Sequence, residues 1–415
     1  MNDPLRDSAK LRTCGKIRCV IAAALVCFAF LFQGILLPFA VKTKPLSDFY
    51  TIYRGTKNFW NAENVYNGAN PYLPGIYVLM GWQAVVSPSV AWTLWRAVGV
   101  AVLALIVWAG LRSPDLLSNW FVRCLCLANM LLLAGMSPRW GNPGNWAGML
   151  VVLGWILTQM RQATLGGLIM GVATVLKYNI ALPFVVLWGA TRQSRAAITA
   201  VVVWGTFTVT GFGVLWVQGY APKEIFESVR LGIQYVGGYD TSGFNRWFAS
   251  NNPNSFQLLS ITPLLHGLGL RPEIANTFAL VCGLVIGVLA LERAYRCPTH
   301  LAGLAIVAPA ILLFTYHRFY DSAILAFPVI AAWQEVARHR RWAWIAIGAS
   351  CAIFFNISNL IQTRSVLPAT FYDSFVWRLV LGPHHVYCLL FILIWAIVAG
   401  YSRIFETASP KKVGT

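Results

Sequence analysis

The stretch LGGLIMGVATVLKYNIALPFVVLWGA, residues 165–190, carries one charged side chain, that of Lys177, in the middle of an apolar run. A segment of this length either spans a membrane as one helix or turns back as a hairpin of two short helices. One straight helix would hold Lys177 in the hydrocarbon core, where a charge is costly. A hairpin would place it at the bend. The choice fixes the side of the membrane on which every later loop lies.

Basic residues distinguish the two arrangements. If residues 74–87 stay at the membrane surface and 176–179 form the bend, most basic residues lie on the side of the N-terminus. These are Arg112, Arg123, Arg161 and the basic residues of 192–195, 292–296, 337–341 and 410–412. If 74–87 spans and 164–190 is one helix, Arg112 and Arg161 move outside. Because cytoplasmic loops are enriched in Lys and Arg, the first arrangement is favoured. It predicts twelve transmembrane helices with both termini inside.

The composition agrees with a membrane protein. The 415 residues are 58% hydrophobic and 11% charged, whereas soluble domains carry about 25% charged residues. Apolar runs of about 20 residues recur, as membrane-spanning helices require. They lie near 18–41, 91–111, 119–137, 143–160, 164–176, 179–190, 196–218, 273–292, 298–316, 320–336, 342–361 and 384–403. We therefore predict an all-α polytopic membrane protein, a single integral-membrane domain over residues 1–415.

The net charge of +18 does not indicate nucleic-acid binding. Most Lys and Arg residues lie in short loops between apolar runs, where the positive-inside rule accounts for them. The excess also suits contact with anionic membrane lipids. The basic N-terminus precedes a run too long for a signal peptide, which indicates an uncleaved first helix. The nine cysteines lie in or beside apolar runs without metal-site spacing, so we expect free thiols.

Two long loops, 42–90 and 219–272, lie outside in this topology. Both are rich in aromatic residues, Gly, Pro and Asn, which predicts short helices on the membrane surface. Long ordered loops on one face of a helical bundle commonly carry function. The first of these loops carries the acid Asp48, soon after the first apolar run.

Several polar residues share this outer face. They are Asp48, Arg139, Asn142, Asn145, Lys177, Asn254, His317, Arg318 and Asp321. Each has a structural alternative: the arginines reach lipid headgroups, His317 is an interfacial residue with satisfied hydrogen bonds, and Asp321 pairs with Arg318. Lys177 requires an anionic partner or a wet cavity, since it interrupts an apolar run.

A cavity with several cations and one carboxylate suits glycosyl transfer from a lipid-phosphate sugar. The cations bind the phosphate and stabilise it as a leaving group. The carboxylate accepts the proton of the attacking hydroxyl. One base suffices for direct displacement with inversion. Asp48 is our candidate base.

An ordered series of motifs carries a resemblance to a known family. It consists of SDFYTIYRGTKNFWNAENVYNGANPYLPGIYVLMGW after the first span, GNPGN opening a span, GVATVLKYNIALPF, NNPNSFQLLS and YHRFYDSAILAFPV. Together these motifs resemble the integral-membrane glycosyltransferases of family 87, in the GT-C superfamily, over roughly residues 20–340. The best-known members are mannosyltransferases that use polyprenyl-phosphate-mannose.

The resemblance implies a GT-C-like bundle and roles for individual residues. Asp48 is the implied base, and Lys177 and His317 match the family's lysine and histidine. From the residues themselves we add Arg318 and Arg139 to these two as candidate donor phosphate-binding residues. Asn142 stands where the family has a Gln, and with Asn145, Asn254 and Tyr72 it is a candidate substrate contact. Membrane-interface anchoring explains Tyr72 equally well. Since the sequence shows no acidic pair to hold a divalent ion, we expect no metal and no cofactor.

The implied partners are a polyprenyl-phosphate sugar donor, a lipid or glycan acceptor and membrane lipids. The implied location is the inner (plasma) membrane, crossed many times, with the active site facing the periplasm or the outside. Two alternatives stay open at this point. One is a transporter or flippase of polyprenyl-linked glycans, which would not need Asp48 as a base. The other is a GT-C transferase for another sugar, such as arabinose, although such branches typically carry an acid pair in the first loop.

Overall fold

The computed structural model describes the chain in segments. These are residues 4–36, 47–63, 65, 72–113, 117, 119–134, 141–191, 193–241, 259–268, 270–296, 301–315, 319–355, 361, 366–372 and 374–408. The regular elements of this part of the chain are helical, in agreement with the all-α prediction. The α-helices are α1 (Pro4–Phe30), α2 (Ser47–Trp60), α3 (Gly75–Leu79), α4 (Pro88–Arg112), α5 (Trp120–Ala134), α6 (Pro143–Gln159), α7 (Ala163–Leu176), α8 (Tyr178–Gly189), α9 (Ser194–Val217), α10 (Pro222–Thr241), α11 (Thr262–Gly267), α12 (Pro272–Arg296), α13 (Leu301–Phe314), α14 (Ala326–Ala337), α15 (Ala343–Phe355), α16 (Ala369–Tyr372) and α17 (His384–Ala408).

Four helical segments are long and apolar enough to cross a membrane: Pro88–Arg112, Ser194–Val217, Ile274–Arg296 and Leu379–Gly400. Further apolar helices among the described residues are shorter, at 10–17 residues. Many large aliphatic side chains on α9 and α12 are exposed, as expected for helices that face lipid. These observations indicate a membrane protein, and the count of twelve spanning helices stays a prediction.

Helices α6 and α13 form the centre of the bundle. In α6 every described side chain from Trp146 to Thr158 is buried, and so is every side chain of α13 from Leu301 to Leu313. A helix that is apolar and buried on all sides must lie inside its bundle. The candidate site residues at the start of α6 are therefore held on a central element of the bundle.

The segment 74–87 does not form a spanning helix. It contains the five-residue α3 and a 3-10 turn at Gly81–Val85, far short of the roughly 20 residues that a span requires. Gly75 packs on the backbone of Phe207 and Thr208 in α9. This agrees with the prediction that the segment does not cross the membrane.

The apolar stretch around Lys177 is a hairpin, as predicted. Helix α7 ends at Leu176 and α8 begins at Tyr178, with Lys177 between them at φ −156° and ψ 88°. The start of α7 and the end of α8 both lie against the start of α9, Gly167 beside Ala196 and Gly189 beside Ala197. The chain therefore reverses at Lys177, and the bend lies at the end of the bundle opposite to these contacts.

One predicted span has a different form. The run 320–336 is divided into a 3-10 helix, Phe319–Leu325, and the 12-residue α14. Pro328 stands in the first turn of α14, where its missing N–H costs no intrahelical hydrogen bond. The 3-10 turn carries Asp321 to the end of the bundle where Lys177 lies.

Helices lie in both of the long segments predicted as outer loops, 42–90 and 219–272, and their location outside the membrane stays a prediction. The first loop holds α2, α3 and the 3-10 turn, and the second holds α10 and α11. The cysteines whose side chains are described are free: Cys19, Cys27, Cys124, Cys126, Cys282, Cys351 and Cys388. The side chains of Cys14 and Cys297 lie outside the described part of the structure.

Candidate functional site

The candidate site is built around a buried ion pair between Lys177 and Asp321. The Lys177 ammonium donates to both carboxylate oxygens of Asp321, with Nζ 2.9 Å from Oδ1 and 2.7 Å from Oδ2. The Asp321 side chain is fully buried, whereas 16% of the Lys177 side chain is exposed. Asp321 is thus the anionic partner that the position of Lys177 required.

The sequence suggested Arg318 as a partner of Asp321, and that pairing stays a prediction. The partner in the described structure is Lys177, at the bend of a distant hairpin. Arg318 lies outside the described residues. The 3-10 turn is fixed further by Ser322, whose hydroxyl donates to the Leu133 carbonyl at 3.3 Å.

The start of α6 is the third element of the site, beside the Lys177 bend and the 3-10 turn that carries Asp321. Asn142 is the N-cap of this helix, and its Oδ1 accepts from the backbone N–H of Gly144 at 2.8 Å. A methyl group placed on Gly144 would overlap Asp321 Oδ1 and would lie 2.6 Å from Lys177 Nζ. A side chain at this position would therefore push against both charged groups, and one or both would have to shift.

The first outer loop reaches the same place through α2. Its buried face comprises Phe49, Ile52, Tyr53, Thr56 and Phe59, at the spacing of an amphipathic helix. Tyr53 Oη donates to the Val86 carbonyl at 2.8 Å, and Trp60 Nε1 donates to the Tyr77 carbonyl at 3.1 Å. From α9, Gln218 Nε2 donates to the Phe59 carbonyl at 2.8 Å. These bonds fix the position of α2 against the bundle.

The starts of α2 and α6 touch each other. Gly141 has φ +67°, and a methyl group on it would lie 2.7 Å from Phe49 Cβ and 2.8 Å from the Trp92 ring. Phe49 packs edge-on against Trp92 and Trp95, and Trp95 stacks on Trp146 at 4.2 Å between ring centroids. Asp48 immediately precedes Phe49 in α2, and Asn142 immediately follows Gly141, so each is one residue from this contact.

The other predicted site residues divide into three groups. Asp48 and Asn145 lie in α2 and α6, and their side chains are outside the description. Asn142 is buried as the α6 cap, and Tyr72 is half-buried against the apolar core. Arg139, Asn254, His317 and Arg318 lie outside the described residues.

Sequence reasoning missed two features of the site: the close approach of Gly144 and the pairing of Lys177 with Asp321. Gly144 was visible only as part of GNPGN, since a glycine gives no sign of what approaches it. Among the described residues there is no group of three or more His, Cys, Asp or Glu side chains that could hold a metal ion. Metal independence stays a prediction.

Comparison with known proteins gives limited information. No family model matches the chain, and no curated protein matches its sequence significantly. The archaeal oligosaccharyltransferase AglB from Archaeoglobus fulgidus, solved with an inhibitory peptide and a dolichol-phosphate, is similar with a TM-score of 0.38 and 12% identity over 93% of this chain. The apo oligosaccharyltransferase of the same organism gives a TM-score of 0.39 and 13% identity over 96% of this chain. The chain spans 56% and 58% of the length of these two structures. TM-scores below 0.5 do not establish a shared fold, so the function below is argued from this chain's own residues.

Proposed function

We propose that this chain is a membrane glycosyltransferase that moves a sugar, mannose in the first instance, from a polyprenyl-phosphate donor to a hydroxyl of a lipid or glycan acceptor. The observation that carries the proposal is the meeting of three elements at one end of the bundle. These are the start of α2 with Asp48, the start of α6, and the Lys177–Asp321 pair. A carboxylate beside a cation is the minimum that such a displacement requires.

In the proposed reaction the Asp48 carboxylate accepts the proton of the acceptor hydroxyl. The hydroxyl oxygen attacks the anomeric carbon as the bond from that carbon to the phosphate oxygen breaks. The electron pair of this bond leaves with the polyprenyl phosphate, and the sugar is transferred with inversion. The leaving phosphate needs no protein acid, unlike the alcohol that leaves in glycoside hydrolysis.

The cations act on the phosphate in this proposal. Lys177 binds it as a charge-assisted donor, a role that the family resemblance also gives to His317, and Arg139 and Arg318 are proposed for the same role from their charge and predicted position. Their contribution grows as charge develops on the leaving oxygen, so they stabilise the transition state more than the bound donor. Asn142, Asn145, Asn254 and Tyr72 are proposed substrate contacts.

The proposal includes a location. The Lys177 bend lies at the end of the bundle opposite to the starts of α7 and α9, where Arg161 and Arg195 stand. Because basic residues favour the cytoplasmic side, the site would face the periplasm or the outside of an inner (plasma) membrane. A polyprenyl-phosphate donor would reach it from the outer leaflet.

The substitution Asp48→Asn tests the assignment of the base. Asparagine keeps the shape of the side chain but accepts no proton at neutral pH, so transfer should fall by about 10²–10⁴-fold. Donor binding and folding should be retained. The measurement is transfer from radiolabelled polyprenyl-phosphate-mannose to a membrane lipid extract, with products identified by mass spectrometry.

The matched control is Glu63→Gln, which neutralises an exposed acid of the same outer loop and should leave transfer unchanged. An acid in the first turn of a helix is also stabilised by the helix dipole, so Asp48 has a structural alternative. Near-wild-type transfer by Asp48→Asn would support that alternative and reject the base. A wild-type protein that moves donor across vesicles without making a sugar–acceptor product would instead be a transporter.

A further inference from the structure

The two partners of the ion pair differ in their access to solvent. Asp321 is completely buried, whereas Lys177 keeps 16% of its side-chain surface exposed. Within the pair, the lysine side chain is therefore the one that keeps contact with the surroundings of the bundle. This is the arrangement expected when a buried acid fixes a lysine that meets something on its accessible side.

The surroundings of Asp321 leave it little freedom to move. It lies in a 3-10 turn that is joined to α5 through Ser322 and Leu133. On its other side Gly144 approaches so closely that a methyl group there would overlap it. The start of α6 also places the positive end of a helix dipole near the carboxylate. Asp321 is thus a fixed point against which the long Lys177 side chain is held.

We infer that Asp321 is a positioning residue, which holds the Lys177 ammonium where the phosphate of a lipid-phosphate sugar donor binds. This inference rests on the proposed function and deepens it. A lysine has many rotamers, and ordering it on binding costs free energy that a preorganised lysine does not lose again. A cation fixed before the reaction also stabilises the leaving phosphate without reorganisation.

The alternative is an ion pair that only joins the α7–α8 hairpin to the 3-10 turn. Such a pair would affect stability and leave donor affinity unchanged in the folded protein. A second alternative is competition, in which the carboxylate occupies the place of the phosphate. Removal of the carboxylate would then tighten donor binding. For Asp321→Asn, a positioning role therefore predicts weaker donor binding, a purely structural pair predicts no change, and competition predicts tighter binding.

The experiment is a double-mutant cycle on donor affinity. Its variants are Asp321→Asn, Lys177→Met and the two combined, in the full chain in detergent or nanodiscs, with polyprenyl-phosphate-mannose as the probe. Each single substitution should raise the donor Kd about tenfold or more, the loss expected for one charge-assisted hydrogen bond. The combined variant should bind no worse than Lys177→Met alone, because Asp321 acts through Lys177.

A second variant keeps both charges. Gly144→Ala places a methyl group against both partners, so it should displace them and raise the donor Kd as well. Gly213→Ala is its control, since a methyl group there meets nothing within 4 Å, and it should leave the Kd unchanged. Gly144→Ala also keeps the test decisive if Asp321→Asn fails to fold.

Two sets of results would overturn the inference. In the first, Asp321→Asn still raises the donor Kd when Lys177 is already replaced by Met, or Asp321→Asn and Gly144→Ala leave the donor Kd unchanged. The second is tighter donor binding by Asp321→Asn. If the wild-type protein binds no donor, the proposed function fails and the inference with it. If the wild-type protein binds donor and transfers sugar, but the effects of Asp321→Asn and Lys177→Met on the donor Kd add, the proposed function stands. Only the inference about Asp321 is then rejected.

Discussion

Two buried acids stand at opposite ends of the segment 319–337, and their partners come from different parts of the chain. Asp321 pairs with Lys177, 144 residues away in sequence. Glu335 pairs with Arg338 at 3.1 Å and with Arg340 at 3.4 Å, both in the turn that follows α14. Both carboxylates are fully buried.

The difference lies in what each pair holds in place. The Glu335 pairs form within one turn of chain, and Arg338 keeps 55% of its side chain in solvent. The Asp321 pair connects the 3-10 turn to a separate hairpin and lies against a third element, α6. Local pairing stabilises the end of a helix, whereas the distant pairing assembles a site. Substitutions at the Glu335 pairs therefore serve as controls for substitutions at the Lys177–Asp321 pair.

The largest difference expected between the Asp321 end and the Glu335 end of the bundle is the accessibility of their loops to a reagent outside the cell. Single cysteines replacing Asn67 and Ser242, in the outer loops, should react with an impermeant thiol reagent on intact cells in a cysteine-free background. Cysteines replacing Gln193 and His339, at the basic end, should not react, because the basic residues favour the cytoplasm. Labelling at Gln193 would place the Lys177 end inside and reverse the orientation.

The contrast between the Glu335 pairs and the Asp321 pair also shows which parts of the fold and site could be predicted from the sequence. The bend at Lys177 was visible, because one charge in an apolar run and the distribution of Arg residues both favoured a hairpin. The Glu335 partners are adjacent in ARHRR. The Asp321 partner was not predictable in this way, since the pairing depends on how the hairpin packs against the 3-10 turn. The sequence suggested only Arg318 as a partner of Asp321, and Arg318 lies outside the described residues.

The breaking of the distant pair gives the next largest effect. Lys177→Met leaves the Asp321 carboxylate buried without this partner, which typically costs about 3–5 kcal/mol. The double variant Lys177→Met/Asp321→Leu should recover most of this loss, because apolar replacement of a buried pair is often neutral. Thermal unfolding in detergent measures both. A double variant that is stable but binds no donor would separate the folding role of the pair from its role at the site.

The smallest effect is expected at the Glu335 pairs. Glu335→Gln removes a carboxylate whose partner Arg338 is largely exposed and can regain its hydration, so the loss should be limited to about 1–3 kcal/mol for the buried hydrogen-bonding group. Glutamine keeps the size of the side chain, which avoids a cavity. Transfer per folded molecule should match that of the wild type, because this pair lies at the other end of the segment from Lys177. The measurement is transfer rate and unfolding midpoint on one preparation, beside Asp321→Asn. Equal loss of transfer in Glu335→Gln and Asp321→Asn would mean that both acids act through the general stability of the bundle. The Lys177–Asp321 pair would then have no role at the site beyond that of the local Glu335 pairs.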